Sequence, residues 1–282
     1  ETAVVTLASE SARKALEQAG KRAEEIDLIL VATCSPEQYL PCCACQVQAD
    51  IGAVNALAFD VNAACSGFLF ALNTADAYLR TGLAENALII GSEVLSKLVD
   101  WTDRGSCILF GDGAGAVVVE QCGAESRAVE YGNTFSETEK GMQNTTAEEK
   151  RIPAGILGRA LHSDGTGGGV LQCGARELTT PYAGTSAAKA DQNQPTDGRE
   201  HYIQMDGQEV YRFATRRVPQ CIEEALSDAG LDVPDIDMFV LHQANARIID
   251  AVAKRLHADR EKFPTNLERV GNLSSASIPV LL

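Results

Sequence analysis

The chain has 282 residues, 45% of them hydrophobic and 22% charged, which is enough to bury a large core as one domain or two halves. Its net charge of −15 speaks against non-specific nucleic-acid binding, which depends on neutralising phosphates, and no apolar run is long enough for a membrane-spanning helix. Nine cysteines, an odd number in a chain of this size, point to a reducing compartment rather than a disulfide framework.

Ser9 is expected to cap a helix running to Gly20, with Ala12, Ala15, Leu16 and Ala19 on one face. Asp27 to Thr33 (DLILVAT) suits a buried strand, and Pro36 and Pro41 mark a loop before a helix that ends near Ile51. The next stretch, LAFDVNAACSGFLFAL from Leu57 to Leu72, reads as a strand ending at Val61, a turn over Asn62 to Ala64, and a helix from Cys65 to about Gly82. Ala87 to Ile90 is another strand, and Cys107 to Glu120 reads as two strands joined by a glycine-rich bend. Strands alternating with helices in this way indicate an α/β protein with a mostly parallel sheet.

Regularity weakens from Gly123 to about Arg199, where Ala124 to Lys150, Gly165 to Gly169 and Thr179 to Arg199 read as loops or insertions. Asn144 begins a glycosylation sequon that the reducing compartment makes a chance match. Asp206 and Glu209 have capping-box spacing ahead of a helix to about Gly230, in which Pro219 implies a kink or two helices in series. Ile236 to Leu241 is expected to be a strand, Asn245 to cap a helix to about His257, and Gly271-Asn272 to form a turn before a last helix. A weak parallel between the halves, each with a chemically capable residue at a strand end, suits a duplicated α/β fold.

Three segments put reactive side chains at turns: Cys65 in ACSG, His242 in LHQAN and Asn272 in GNLS. A cysteine at a helix start has its thiolate favoured by the exposed N–H groups, and those groups can also hold an oxyanion. A small packing cysteine fits the same place, a core histidine fits position 242, and an ordinary turn residue fits position 272. Gly111 to Gly115 lacks the Lys-Ser/Thr of a phosphate loop and reads as close backbone packing, and Cys42 and Cys45 lack the second pair of a zinc site.

DVNAACSGF around Cys65, TDRGSCILFGDGAGAVVV from Thr102, LHSDGTG from Leu161, IQMDGQEVYRFA from Ile203, LHQANARI from Leu241 and GNLSSASIP from Gly271 together resemble the β-ketoacyl-acyl carrier protein synthase III family, which has the thiolase fold. The variant Trp101-Thr102-Asp103-Arg104 looks nearest to cyanobacterial and plastid members. The resemblance implies a layered αβαβα fold with an N-terminal half over 1–122, variable loops over 123–200 and a C-terminal half over 201–282. It implies a decarboxylative Claisen condensation that starts fatty-acid synthesis. Cys65 takes an acetyl group from coenzyme A, and His242 and Asn272 act on malonyl-acyl carrier protein, with no metal or redox cofactor.

By the same resemblance Arg104 contacts coenzyme A, while Met205, Gly207, Tyr211, Ala214 and Asn245 line the pantetheine tunnel. Leu40 closes the acyl pocket across a homodimer interface. Arg212, Arg247, Lys254 and Arg255, with Arg216 and Arg217, form a basic patch able to attract an acidic carrier protein. The implied location is the bacterial cytoplasm or plastid stroma, with neither nucleic acid nor membrane as partner. Alternatives are a polyketide-starting synthase of the same fold and an impaired, carrier-binding fragment. The segment Phe135 to Arg151 looks inserted, and Leu273 stands where the family usually has Thr. The chain starts without Met and stops inside an apolar run, so both native ends, including a glycine loop supplying a second oxyanion N–H, are expected to lie outside it.

Overall fold

A computed structural model describes residues 3–121, 155–174 and 201–282. The readings for Ala124 to Lys150, for the segment Phe135 to Arg151 and for Thr179 to Arg199 therefore lie outside the described residues.

A four-stranded sheet forms the centre, in the order β2 (Leu57–Val61), β1 (Leu28–Ala32), β3 (Asn86–Val94), β4 (Asp112–Glu120). β1 runs parallel to both β2 and β3, and β4 pairs antiparallel with β3, so two of the three pairings are parallel. Residues alternate between faces along a strand. Ile29 and Val31 of β1, with Leu88 and Ile90 of β3, meet Val4, Ala8, Ala12 and Leu16 of α1 (Val4–Ala19) and Val47 of α2 (Cys43–Ile51). Leu28, Leu30 and Ile89 meet Phe68, Ala71, Ala75 and Leu79 of α3 (Gly67–Thr81) and Ile278 of α7 (Ser277–Leu281) on the other face. Burial on both sides is why β1 reads as an unbroken apolar run.

α1 begins five residues before Ser9, and Ser9 is fully buried inside it rather than capping it. The Glu37 carboxylate instead accepts from the Val4 N–H at 2.7 Å, a cap from distant sequence that local spacing does not reveal. Likewise Asp60, from β2, accepts from the Cys43 and Ala44 N–H groups at 2.9 and 2.7 Å and caps α2.

The expected strand at Cys107 to Gly111 is a series of turns ending in a single bridge, Phe110 to Asn272. Its backbone pairs with the chain's last segment instead, through Asn272 N–H to Leu109 O (2.9 Å) and Gly111 N–H to Asn272 O (3.0 Å). The glycines here serve that close approach. A Cβ at Gly111 would lie 2.2 Å from the Val270 carbonyl oxygen, and one at Gly115 would lie 2.5 Å from the Pro279 carbonyl carbon.

β5 (Leu171–Gln172) and β6 (Gln204–Met205) form a two-residue ladder ahead of α4 (Gly207–Ala229). α4 runs as one helix through Pro219. Asp206 caps it as expected, accepting from the Gln208 and Glu209 N–H groups, but Glu209 pairs with Arg212 rather than completing the box. Ile236 to Leu241 is not a strand. Among the described residues no strand flanks it, and its backbone bonds are Phe239 N–H to Lys262 O (2.8 Å) and the local turn bond Ile236 N–H to Val233 O (3.3 Å). Its apolar residues are used all the same: Phe239 stacks on Phe263 at 4.6 Å and packs with Ile249, Val252 and Leu256 of α5 (Ala246–Arg255). α6 (Leu267–Val270) leads through Gly271 (φ 70°) into Asn272, which bridges to Phe110 where a turn was expected.

Candidate active site

Cys65 lies in a single 3-10 turn, Ala64–Ser66, between β2 and α3. Ala64 has φ 44°, a left-handed value that a non-glycine residue adopts only at some cost. That sharp bend lifts Cys65 off the strand end and presents it at the start of a buried helix. A second bend with the same backbone closes the chain. Ala63 (φ −133°, ψ 34°), Ala64 (φ 44°), Ser66 (−89°, −1°) and Gly67 (−53°, −42°) correspond in order to Leu273 (−98°, 17°), Ser274 (φ 48°), Ala276 (−80°, −12°) and Ser277 (−56°, −47°). The two elbows pack on each other, since a Cβ at Gly67 would lie 3.4 Å from the Ser275 Cβ.

The second elbow places Ser274 against both Asn272 and Cys65. Asn272 is buried, and its Oδ1 accepts from the Ser274 N–H at 2.9 Å. Its remaining polar side-chain atom is the donor Nδ2. The Ser274 hydroxyl lies against the Cys65 thiol and 3.9 Å from the Cys34 Sγ. Burial pushes the Cys65 thiol above its ordinary pKa. The Ser274 hydroxyl and the residue's own N–H oppose that, and the Glu93 charge adds to it. The expectation of a resting thiolate is therefore corrected: one short turn supplies too few N–H groups to outweigh burial.

His242 follows Val240, which packs against the cluster containing Phe68 and Ile278. Both of its ring nitrogens are buried and, among the described residues, without a hydrogen-bond partner. Burial lowers its pKa to about 4, so the ring is neutral near pH 7. An unpartnered buried imidazole is costly unless it serves a ligand.

The other expected contacts are spread out. Met205 and Gly207 share an open depression of about 710 Å³ with Gly169, Gln172, Gln204, Asp206 and Gln208, and none of Cys65, His242 and Asn272 lines it. Tyr211 is exposed on α4, whereas Ala214 packs into the Phe239 cluster as a core contact. Asn245 is exposed and its Oδ1 caps α5 by accepting from the Arg247 N–H at 2.9 Å. Arg104 is exposed in the turns after β3, and Leu40 is 85% exposed. Arg212, Arg247, Lys254 and Arg255 are exposed on α4 and α5, which an Arg255 bond to the Thr215 carbonyl (3.3 Å) helps hold together. Among the described residues no group of three or more His, Cys, Asp or Glu could hold a metal, Cys42 and Cys45 included.

Sequence reasoning missed Glu93, Cys34 and Ser275, which surround this site. The signal was available for one of them: Glu93 is an isolated acid at the end of the run ALIIGSEV, and such a group must be paired if buried.

The family model for 3-oxoacyl-[acyl-carrier-protein] synthase III matches residues 59–135, and that for its C-terminal part matches 226–282. The β-ketoacyl-[acyl-carrier-protein] synthase III of Clostridium perfringens (strain SM101 / Type A) is 44% identical over 279 residues, covering 98% of this chain and 74% of that protein. The protein of the same name from Synechococcus sp. (strain WH7803) is 43% identical over 279 residues, covering 99% and 72%. The solved structure of 3-oxoacyl-[acyl-carrier-protein] synthase III from Aquifex aeolicus VF5 aligns with a TM-score of 0.78 at 35% identity, over 100% of this chain and 74% of that one. The priming β-ketosynthase from the R1128 polyketide biosynthetic pathway aligns with a TM-score of 0.76 at 31% identity, over 100% and 72%.

Proposed function

The chain belongs to the 3-oxoacyl-[acyl-carrier-protein] synthase III family, and from that premise we propose the following chemistry for its own residues. The Cys65 sulfur attacks the acetyl carbonyl of acetyl-coenzyme A, and coenzyme A leaves as its thiol. Malonyl-acyl carrier protein then enters. Its bond to the carboxylate breaks, carbon dioxide departs, and the electron pair moves onto the thioester oxygen. Nδ2 of Asn272 and one ring N–H of His242 donate to that oxygen. The carbanion attacks the acetyl-Cys65 carbonyl, the carbon–sulfur bond breaks, and a 3-ketoacyl carrier protein is released, leaving a Cys65 thiolate that takes a proton from solvent to restore the thiol.

The observation that carries this reading is a pair of buried donors. Asn272 has its acceptor occupied by the Ser274 N–H, and His242 has two buried ring nitrogens with no partner among the described residues. A neutral imidazole can donate one N–H without giving up its proton as an acid, and burial keeps it neutral. Each such donor is worth about 3 kcal/mol to an oxyanion. Two thiolase-like halves, over 1–122 and 201–282, are supported by the matching elbows.

Acyl carrier protein is the partner, docking on Arg212, Arg247, Lys254 and Arg255. Arg104 faces coenzyme A, and Met205, Gly207, Tyr211, Ala214 and Asn245 flank the pantetheine path. The working form is a homodimer in which Leu40, exposed beside Tyr39, closes the partner's acyl pocket. No resident cofactor takes part, and the cytoplasm or plastid stroma is the site of action. The test is release of carbon dioxide and formation of acetoacetyl carrier protein when both substrates are present. A folded chain that forms neither sinks the reading. Polyketide priming is a second reading, supported by the likeness to the R1128 ketosynthase, and preference for longer or branched acyl groups over acetyl would favour it.

A further inference from the structure

Glu93, at the end of β3, is wholly buried. A carboxyl group taken out of water costs several kcal/mol unless its surroundings satisfy it, and here they do. It accepts from the Ser35 hydroxyl at 2.6 Å, the Ser275 hydroxyl at 2.8 Å, the Cys34 N–H at 3.1 Å and the Thr33 hydroxyl at 3.2 Å, and the Cys34 thiol lies 3.5 Å away. Three of these residues are consecutive at the end of β1. The fourth, Ser275, belongs to the second elbow, 182 positions after Glu93.

Ser275 is held tightly. Its single hydroxyl proton goes either to Glu93 or to the Ala32 carbonyl, both at 2.8 Å. Gly91, two residues before Glu93, has no Cβ because one would lie 2.4 Å from the Ser275 carbonyl oxygen, and Gly67 faces the Ser275 side chain at the start of α3. The residue before Ser275 touches the Cys65 thiol and binds Asn272 Oδ1. Whatever fixes Ser275 thus fixes the amide and the thiol relative to each other.

We propose that Glu93 is a positioning residue for the condensation: it ties the second elbow to the end of β1 and so sets the Cys65 thiol and the Asn272 amide in register. The proposal rests on the functional reading above for its kinetic consequences, not for its effect on the thiol. The groups facing that thiol are Cys34 from the end of β1, Glu93 from β3 and the Ser274 hydroxyl from the second elbow. A carboxyl group in this place acts in two separable ways, through its hydrogen bonds and through its charge.

The experiment compares the wild-type chain with E93Q and S275A, each first shown to be folded by circular dichroism. Iodoacetamide labelling of Cys65, mapped by peptide mass across pH, reads the charge, and turnover with acetyl-coenzyme A and malonyl carrier protein reads the positioning. We expect the E93Q labelling midpoint to move to lower pH and the S275A midpoint to show no such move. Both variants should lose kcat, by about 100-fold for a displacement on the order of 1 Å, with little change in KM. A folded E93Q with wild-type midpoint and kcat overturns the proposal, as does a kcat loss that disappears when corrected for the folded fraction. If the wild type itself labels but never condenses, the functional reading fails, and the labelling midpoints alone decide whether Glu93 acts on Cys65.

Discussion

At the residue scale the proposed site combines a protonated thiol with two neutral donors, and each makes a separate prediction. For Cys65, burial raises the thiol above its usual range, so iodoacetamide labelling should have its midpoint above the ~8.5 of a free cysteine. His242 gives a prediction about stability. Its folded pKa is lowered from 6.5 to about 4, so between those values the unfolded chain binds a proton that the folded chain does not. Stability from this group is therefore complete above pH 6.5 and falls as pH drops towards 4, by at most about 3 kcal/mol. Urea midpoints measured across that window should decline in the wild type and decline less in His242→Gln. The same substitution and Asn272→Ala should each slow malonyl decarboxylation by ~100- to 1,000-fold, while acetyl transfer to Cys65 persists. What the sequence hid at this scale was the balance of forces. A helix start favouring the thiolate is visible in the order of residues, whereas the burial that outweighs it is not.

At the level of elements, two bends with one backbone geometry do the assembling. Ala64 and Ser274 take left-handed φ values, Gly91 and Gly115 admit the second bend and α7 against the sheet, and Asp60 caps α2 across space. A methyl group at position 91 meets backbone at 2.4 Å, and at position 115 at 2.5 Å, with no flexible side chain to give way. Gly91→Ala and Gly115→Ala should each destabilise the chain by about 1–3 kcal/mol in urea melts, with Gly91→Ala also lowering condensation. Asp60→Ala should cost about 1–2 kcal/mol from the lost cap. Strand β1, helix α3 and the cap at Asp206 were all legible, because each is written in local periodicity or capping chemistry. The Cys107 to Gly111 strand and the Ile236 to Leu241 strand were not. An apolar run states that a segment will be buried, but a strand also needs a neighbour to pair with, and that neighbour is set by the fold. Ser9 failed as a cap for a related reason, since Glu37, outside the window of a local pattern, already holds the helix start.

Over the whole molecule, the proposed reading asks an acidic chain to present a local basic face. With a net charge of −15, long-range attraction to an acidic carrier protein has to come from a focused patch, and α4 and α5 present Arg212, Arg247, Lys254 and Arg255 on adjoining helices. Lys254→Glu with Arg255→Glu should raise KM for malonyl carrier protein far more than for acetyl-coenzyme A, and added salt should reproduce part of that rise. The family was legible from short motifs alone, and relatives over 40% identical across nearly the whole chain support it. The contact between β3 and the second elbow was not legible, since Glu93 and Ser275 lie 182 positions apart and meet through hydrogen bonds that no periodicity records. The central claim is that Cys65 carries the acyl group. It is tested most directly by incubating the chain with acetyl-coenzyme A alone and mapping the adduct by peptide mass spectrometry. The account predicts one acetyl group on the peptide containing Cys65, lost on treatment with hydroxylamine and absent from Cys65→Ala. A folded chain that remains unmodified, or that carries the acetyl group on another cysteine, contradicts it.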